Sequence, residues 1–402
     1  MGDWSQLQLD LLDLIIRRLT LRDMICFSCV CTSWKSVFAT ICHHKGGRFP
    51  WLIVPSQNNS KQQGDSWKLD TLCFYSILEE KCYSAEIPEI EDCRICSSSN
   101  GWLITVHENY DVQLLHPFSR KVIKLPSLKA IPKGYSDQAT FYRHNGNTVE
   151  VVDALGYIED HPQFARDFLL KRAIIAPPPN HHNLNSDNVG PSHPPLVMGI
   201  FKYYSKLVFC RPNLEEEQNA TTSWKVIGGD HQNFSYEDLT YYKGKFYAIS
   251  SDGFVVVVEG IADSLPVTRV IDIRNSDPIE ALFWCKYYLV ELSGDLLKVM
   301  RMQDSTFKVF KLDITLFWWE EVLSLDKCAL FLGSNQSFSL STSDFPGYRG
   351  NRIYFTDDRC FKQGPLLDKG VFNLEDGTVE RFHPDIFQLE LPRTIWYASG
   401  HP

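Results

Sequence analysis

The chain has 402 residues, 44% of them apolar and 13% aromatic, a composition that sets it among globular proteins and against disorder. Its formal charge of −9 is uneven: residues 1–45 hold five Lys or Arg against four Asp or Glu, and the remainder holds 35 against 45. With no clustered Lys/Arg stripe to meet phosphates, nucleic acid is excluded as an expected partner.

The first predicted element is a helix over the run from Leu7 to Leu19. At 3.6 residues per turn, Leu9, Leu12, Ile16 and Leu19 make one apolar stripe, and Leu11, Leu14 and Ile15 fill the adjoining face. Thr20, with Asp23 three residues on, signals the N-terminus of a second short helix. Thr32 or Ser33 opens a third that carries Trp34, Val37, Phe38 and Ile41. Three helices in so short a span cannot supply a sufficient core, because domains below about 40 residues usually need another source of stability. The surplus apolar surface therefore predicts a protein partner.

These residues resemble the F-box, whose usual pattern is Leu-Pro-x-Asp-Leu-Leu, a run of Ile and Leu, and a Val-Cys-x-x-Trp element. Here the pattern is carried by Leu7 to Leu12, Ile15 to Leu19, and Val30, Cys31 and Trp34. The resemblance implies docking onto a Skp-type adaptor and through it a cullin, with Leu7, Leu9, Leu12, Ile16, Leu19, Val30 and Trp34 as the adaptor-binding residues. One departure is visible: Gln8 stands where the family has proline. Losing that fixed φ frees the unfolded chain, a cost of roughly 0.4–1 kcal/mol.

No charged leader with a long apolar run opens the chain, and no apolar run approaches the roughly 18 residues of a membrane span. A protein kept inside the cell, in the nucleus or cytoplasm, is expected. Its 12 cysteines are then expected to stay reduced, and the Asn-x-Ser/Thr triplets at Asn58, Asn219, Asn233 and Asn335 to carry no sugar. Cys26-x-x-Cys29 and Cys93-x-x-Cys96 have ligand-like spacing, but a structural zinc site needs a second pair at a suitable distance, so no metal is expected.

Beyond His44 the period changes from helical to two, in short runs broken by Gly, Asp, Asn and Ser. Gly101–Val106, Val112–His116 and Lys121–Leu125 read as a meander. Similar units follow at Lys245–Ile249 with Phe254–Val258, and at Tyr287–Leu292 with Leu296–Met302 and Phe307–Leu312. Later ones pair Leu330–Gly333 with Phe338–Leu340, and Val371–Leu374 with Thr378–Phe382. Gly253, Gly294, Asn335 and Asp376 recur every 41 residues, which suits a β-propeller whose blades repeat at about 40–50 residues. The expected fold is mostly β: a three-helix module over 1–45, then a propeller of six or seven blades over 48–402. Pro55–Trp67 and Ala176–Pro195 break the rhythm and are expected to lie outside the sheets.

A second resemblance is carried by Tyr241–Ala248, by Tyr288–Glu291 with Gly294, by Ala329–Gly333, by Asn351–Asp358 and by Val371–Gly377. These segments are similar to plant F-box proteins with a KIB-type propeller. The resemblance implies a non-catalytic receptor subunit of a Skp-Cullin-F-box (SCF) ubiquitin ligase, in which the propeller holds an unknown substrate protein and no cofactor is used. A propeller hydrolase or lyase, or an F-box scaffold outside a ligase, is the alternative.

Among chemical motifs, Asp357-Asp358 reads as turn-capping, and His107, His116, His144 and His161 read as surface or edge residues. No Gly-x-Ser-x-Gly elbow or phosphate loop appears. Trp102, Trp224, Trp284, Trp318, Trp319 and Trp396 are expected between blades, although Phe317-Trp318-Trp319 cannot all face inward, which leaves an exposed aromatic as a partner anchor.

Overall fold

The computed structural model describes residues 4–16, isolated positions between 19 and 37, and 50–55, 71–118, 120–130, 140–145, 148–153, 169–176, 195–201, 206–212, 223–227, 234–260, 266–271, 285–316, 318–345, 347–356, 369–382 and 394–398. Helix α1 runs from Leu9 to Ile16. Its first turn is anchored by the Gln8 carbonyl, which accepts from the N–H groups of Leu11 and Leu12, each at 3.1 Å, so the helix begins inside the expected Leu7–Leu19 run with Gln8 in the place of proline. The helix expected after Thr20 lies mostly outside the described residues, and helical turns recur at 32–34 and 36–37.

Among the described residues six sheets of four or five strands follow, one per blade. Blade 1 is assembled from both ends of the propeller, with Ile395–Ala398 innermost, then Pro50–Pro55, Thr71–Ser76 and Lys81–Glu86. Blade 2 comprises Cys93–Ser99, Trp102–His107, Val112–Leu115 and Val122–Leu125. Blade 3 comprises Leu170–Ala176, Leu196–Phe201, Lys206–Cys210 and Lys225–Val226, and blade 4 Tyr236–Tyr242, Lys245–Ser250, Val255–Glu259 and Val267–Ile271. Blade 5 comprises Lys286–Leu292, Asp295–Arg301, Phe307–Asp313 and Trp318–Glu321. Blade 6 departs from the meander: Phe338–Ser341 is innermost, followed by Cys328–Leu332, which runs parallel to Arg352–Phe355, and then by Gly370–Asn373 and Val379–Arg381. A separate hairpin, Thr140–Asn145 with Thr148–Asp153, lies between blades 2 and 3 in sequence.

The blade number follows from the cores. One buried cluster lies between each neighbouring pair, from Ile104, Ala173 and Trp224 between blades 2 and 3, round to Leu52, Phe331 and Trp396 between blades 6 and 1. The seam between blades 1 and 2 also takes in Leu12, Ile16, Phe27 and Val37, so the helical module shares a core with the propeller.

The 41-residue rhythm does not mark equivalent turns. Gly294 links the first two strands of blade 5, and its counterparts are Gly244, 50 residues earlier, and Gly101, all three in the left-handed region. Gly253 instead joins the second and third strands of blade 4. The real spacing varies because connections between blades differ in length, while the turns inside blades are constrained by strand twist.

The cysteines also depart from expectation. Cys73 and Cys82, on adjacent strands of blade 1 with Cα atoms 5.7 Å apart, form a disulfide. Cys93 and Cys96 are buried and form no disulfide, but a shift in register at Ile95/Ser97 and the alternation of the strand direct them into different seams, Cys93 toward blade 1 and Cys96 toward blade 3. They cannot share one ion. Cys26 and Cys29 lie outside the described residues.

Candidate functional site

Two regions concentrate functional chemistry: the surface of α1 and the propeller axis. On α1 the predicted adaptor residues separate by burial. Leu12 and Ile16 are fully buried inside this chain and brace the helix from behind. Leu7, Leu19 and Trp34 are half-buried, and Leu9 and Val30 are exposed. Trp34 packs on Phe27 with ring centroids 4.3 Å apart, and its Nε1 donates to the Trp4 carbonyl at 3.1 Å. Trp34 therefore holds the third helical segment against the N-terminal turn, assisted by Ser33 Oγ donating to the Ser5 carbonyl at 3.3 Å.

What remains outside is the other face of the helix. Trp4, Leu7, Leu11, Leu14 and Ile15 line an open groove of about 290 Å3. Trp4 is 68% exposed and Leu14 57%. The sequence marked Leu11, Leu14 and Ile15 only as an adjoining face; Trp4 was missed because it precedes the helical period.

At the axis the inner strands meet in polar contacts. Asp238 of blade 4 pairs with Arg172 of blade 3, and both are buried. The same carboxylate accepts from the backbone N–H groups of Leu239 at 2.6 Å and Leu289 of blade 5 at 3.0 Å, and from Ser337 Oγ of blade 6 at 3.2 Å. Arg172 also donates to the Gly333 carbonyl of blade 6. Burial pushes the Asp238 carboxyl up, against the opposing pull of Arg172 and the two N–H groups. A second set joins the remaining blades: Asn335 donates to Ser98 Oγ at 3.2 Å and accepts from the Trp396 N–H at 3.0 Å. Asn335 is buried, so its triplet offers no acceptor site for a sugar. Gly333 is required by close approach, since a Cβ there would sit 2.5 Å from Thr356 Oγ1.

Ionisable groups from several blades do converge on the axis, as a propeller enzyme would need, but Arg172 and Asp238 are committed to each other and to backbone groups. The void between the inner strands of blades 1, 2 and 6 has about 10 Å3, room for one water. Lys171 and Lys286 share Glu237 at 3.2 and 3.6 Å, and burial lowers the Lys171 amine to about 8. Among the described residues no group of three His, Cys, Asp or Glu is placed to hold a metal ion.

The other sequence candidates disperse. His116 is buried rather than at the surface, 5.5 Å from the Trp102 ring, while His107 Nδ1 caps its own turn by accepting from the Asn109 N–H. His144 lies in the separate hairpin; His161, Asp357, Asp358, Trp284 and Phe317 lie outside the described residues. Trp224, Trp319 and Trp396 are buried between blades, Trp102 is half-buried, and Trp318 is 51% exposed.

Comparison with known sequences agrees with this geometry. The sequence model of the KIB1-4 beta-propeller matches residues 74–373. The chain belongs to the KIB1-4 β-propeller family. An F-box domain matches residues 4–45, so this KIB1-4 propeller is preceded by an F-box. Relatives of the same span include F-box protein SKIP23 of Arabidopsis thaliana, 26% identical over 99% of this chain and 96% of the relative. Probable F-box protein At4g22165 of the same plant is 25% identical over 99% and 96%. An F-box followed by a propeller is consistent with a substrate adaptor, and F-box proteins are generally non-catalytic adaptors. No helix among the described residues is long and apolar enough to cross a membrane.

Proposed function

We propose that this KIB1-4 protein is the substrate-recognition subunit of a Skp-Cullin-F-box ubiquitin ligase, its F-box docking a Skp-type adaptor and its propeller holding the protein to be ubiquitinated. The single observation that carries the reading is the uncovered groove of Trp4, Leu7, Leu11, Leu14 and Ile15 on a helix whose opposite face is already buried. Leu9 and Val30 extend the apolar surface. Burying one such side chain is worth about 1.5–3 kcal/mol before association costs, so a few suffice for a stable complex. The ligase chemistry needs no catalytic group here: holding a substrate lysine near the charged conjugating enzyme raises its effective concentration. This reading places the protein in the nucleus or cytoplasm.

The test uses exposed positions, because Trp34→Ala would loosen the module itself. Leu11→Glu with Leu14→Glu is expected to weaken binding of a purified Skp-type adaptor at least tenfold, measured by calorimetry, with the thermal midpoint unchanged. Retained affinity in that double variant refutes the groove as the docking surface. Ubiquitin transfer in a reconstituted cullin complex then separates a ligase receptor from a scaffold that binds the adaptor alone.

A further inference from the structure

The outer edge of blade 5 carries the strongest surface feature outside the F-box. Leu316 and Leu323 are 74% and 76% exposed, and Trp318 lies between them in sequence on the last strand of the sheet. The turn that presents Leu316 is held firmly: Asp313 Oδ1 accepts from the Thr315 N–H at 2.8 Å, the Thr315 hydroxyl at 2.6 Å and the Leu316 N–H at 3.1 Å. These bonds hold the Asp313 carboxyl below its ordinary range. Trp319 points the other way and is buried in the seam to blade 4, with the Lys298 ammonium over its ring at 5.1 Å, so the strand is anchored and Trp318 is turned outward by alternation.

Charge makes the edge selective. Glu320 and Glu321 are exposed beside Trp318, and the strand from Trp318 to Glu321 carries no cation. Lys311, opposite Glu320 in the register, is already bonded to Asp295 at 2.7 Å. The corresponding edge of blade 4 is protected differently, with Arg269 and Lys245 sharing Glu259. Among the described residues no strand pairs with the outer side of Trp318–Glu321. In blade 6 that outer position is filled by this chain's own fifth strand, Val379–Arg381, antiparallel to Gly370–Asn373.

We propose that the blade 5 edge is a docking strip for an extended, basic segment of a partner polypeptide, which adds as a fifth antiparallel strand with apolar side chains on Leu316 and Trp318 and cations on Glu320 and Glu321. Main-chain pairing supplies the geometry and the acidic rim the selectivity. In calling that partner the substrate, the inference rests on the receptor reading above; the strip itself does not, because it lies on the propeller and needs no adaptor.

The test is fluorescence anisotropy on the full chain with labelled peptides: alternating Lys-Val repeats, the same length in Glu-Val repeats, and Lys-Val repeats interrupted by proline, which lacks the ladder donor. The Lys-Val peptide is expected to bind, with at least tenfold weaker binding of each control. Trp318→Ser and, separately, Leu316→Ser are expected to weaken it at least tenfold, and Glu320→Lys with Glu321→Lys to shift preference to the Glu-Val peptide. Leu11→Glu with Leu14→Glu, which disables the adaptor groove, is expected to leave peptide binding unchanged. Equal affinity for all three peptides, equal affinity in Trp318→Ser and Leu316→Ser, or no binding of the Lys-Val peptide overturns the proposal. So does a dimer in sedimentation that Trp318→Ser abolishes, because the edge would then belong to a second copy.

Discussion

Asp238 shows how much one side chain can organise. It takes bonds from four blades, and its partner Arg172 is as deeply buried as it is. Removing one member of such a pair leaves a buried charge without compensation, which costs about 3–5 kcal/mol, whereas replacing both with apolar groups of similar volume can be neutral. Asp238→Ala is therefore expected to lower the urea midpoint steeply, and Arg172→Met with Asp238→Leu to recover part of the loss. Additive losses in the double variant would show that the backbone bonds, not the ion pair, dominate. The pair had a signal in the sequence: Lys171 and Arg172 interrupt the apolar run from Leu169 to Ile175, and a cation in a strand otherwise built for burial needs a buried carboxylate. Its partner stayed illegible because Asp238, in Tyr-Glu-Asp-Leu, looks like any strand-start acid, and nothing local reveals which of 49 acidic residues closes the contact.

At the scale of elements, strands were legible and their assembly was not. Alternation located Val112–Leu115, Lys245–Ser250 and Asp295–Arg301 within a residue, because each strand buries one face against its own neighbours. The order within blade 6 escaped, since the parallel pairing of Cys328–Leu332 with Arg352–Phe355 depends on a chain excursion through Phe345 and Tyr348 that carries no period. Helix α1 was found by its stripe, but which side of it faces the propeller is decided by a seam distant in sequence. The turns inside blades are a transferable lesson. Ser293 and Gly294 both have positive φ, as do Lys243 and Gly244, the signature of a tight two-residue hairpin. At Gly294 an added Cβ meets nothing within 4 Å, so the penalty for substitution is purely conformational. Gly294→Val is expected to cost about 1–2 kcal/mol, and Gly294→Asn less, because Asn tolerates the left-handed region. Denaturant midpoints of the two variants check this; an equal loss for both would mean that contact, not φ, is what matters there.

Across the whole molecule the decisive feature is closure. A propeller seam buries apolar side chains only if the last blade meets the first, and here Ile395–Ala398 crosses back to become the innermost strand beside Pro50–Pro55. Trp396 sits at that seam, fully buried, its Nε1 donating to the Leu332 carbonyl at 2.9 Å and its ring against Phe331 at 5.1 Å. Its own carbonyl accepts from Ser98, so one residue touches blades 1, 2 and 6. Truncating it removes a large apolar volume and takes away one of the two donors to the Leu332 carbonyl, the Thr356 N–H at 3.1 Å remaining. Trp396→Ala is therefore expected to cost about 3–5 kcal/mol, as large-to-small substitutions in close-packed cores do. Because the seam couples the two ends of the propeller, the loss should appear in every blade. Hydrogen exchange of blade 4 amides such as Val256, far from the substitution in the ring, is expected to accelerate along with that of Leu52 in blade 1. If only blades 1 and 6 lose protection while blade 4 keeps its own, the ring is a chain of independent units stacked in sequence, and closure by Trp396 is local packing.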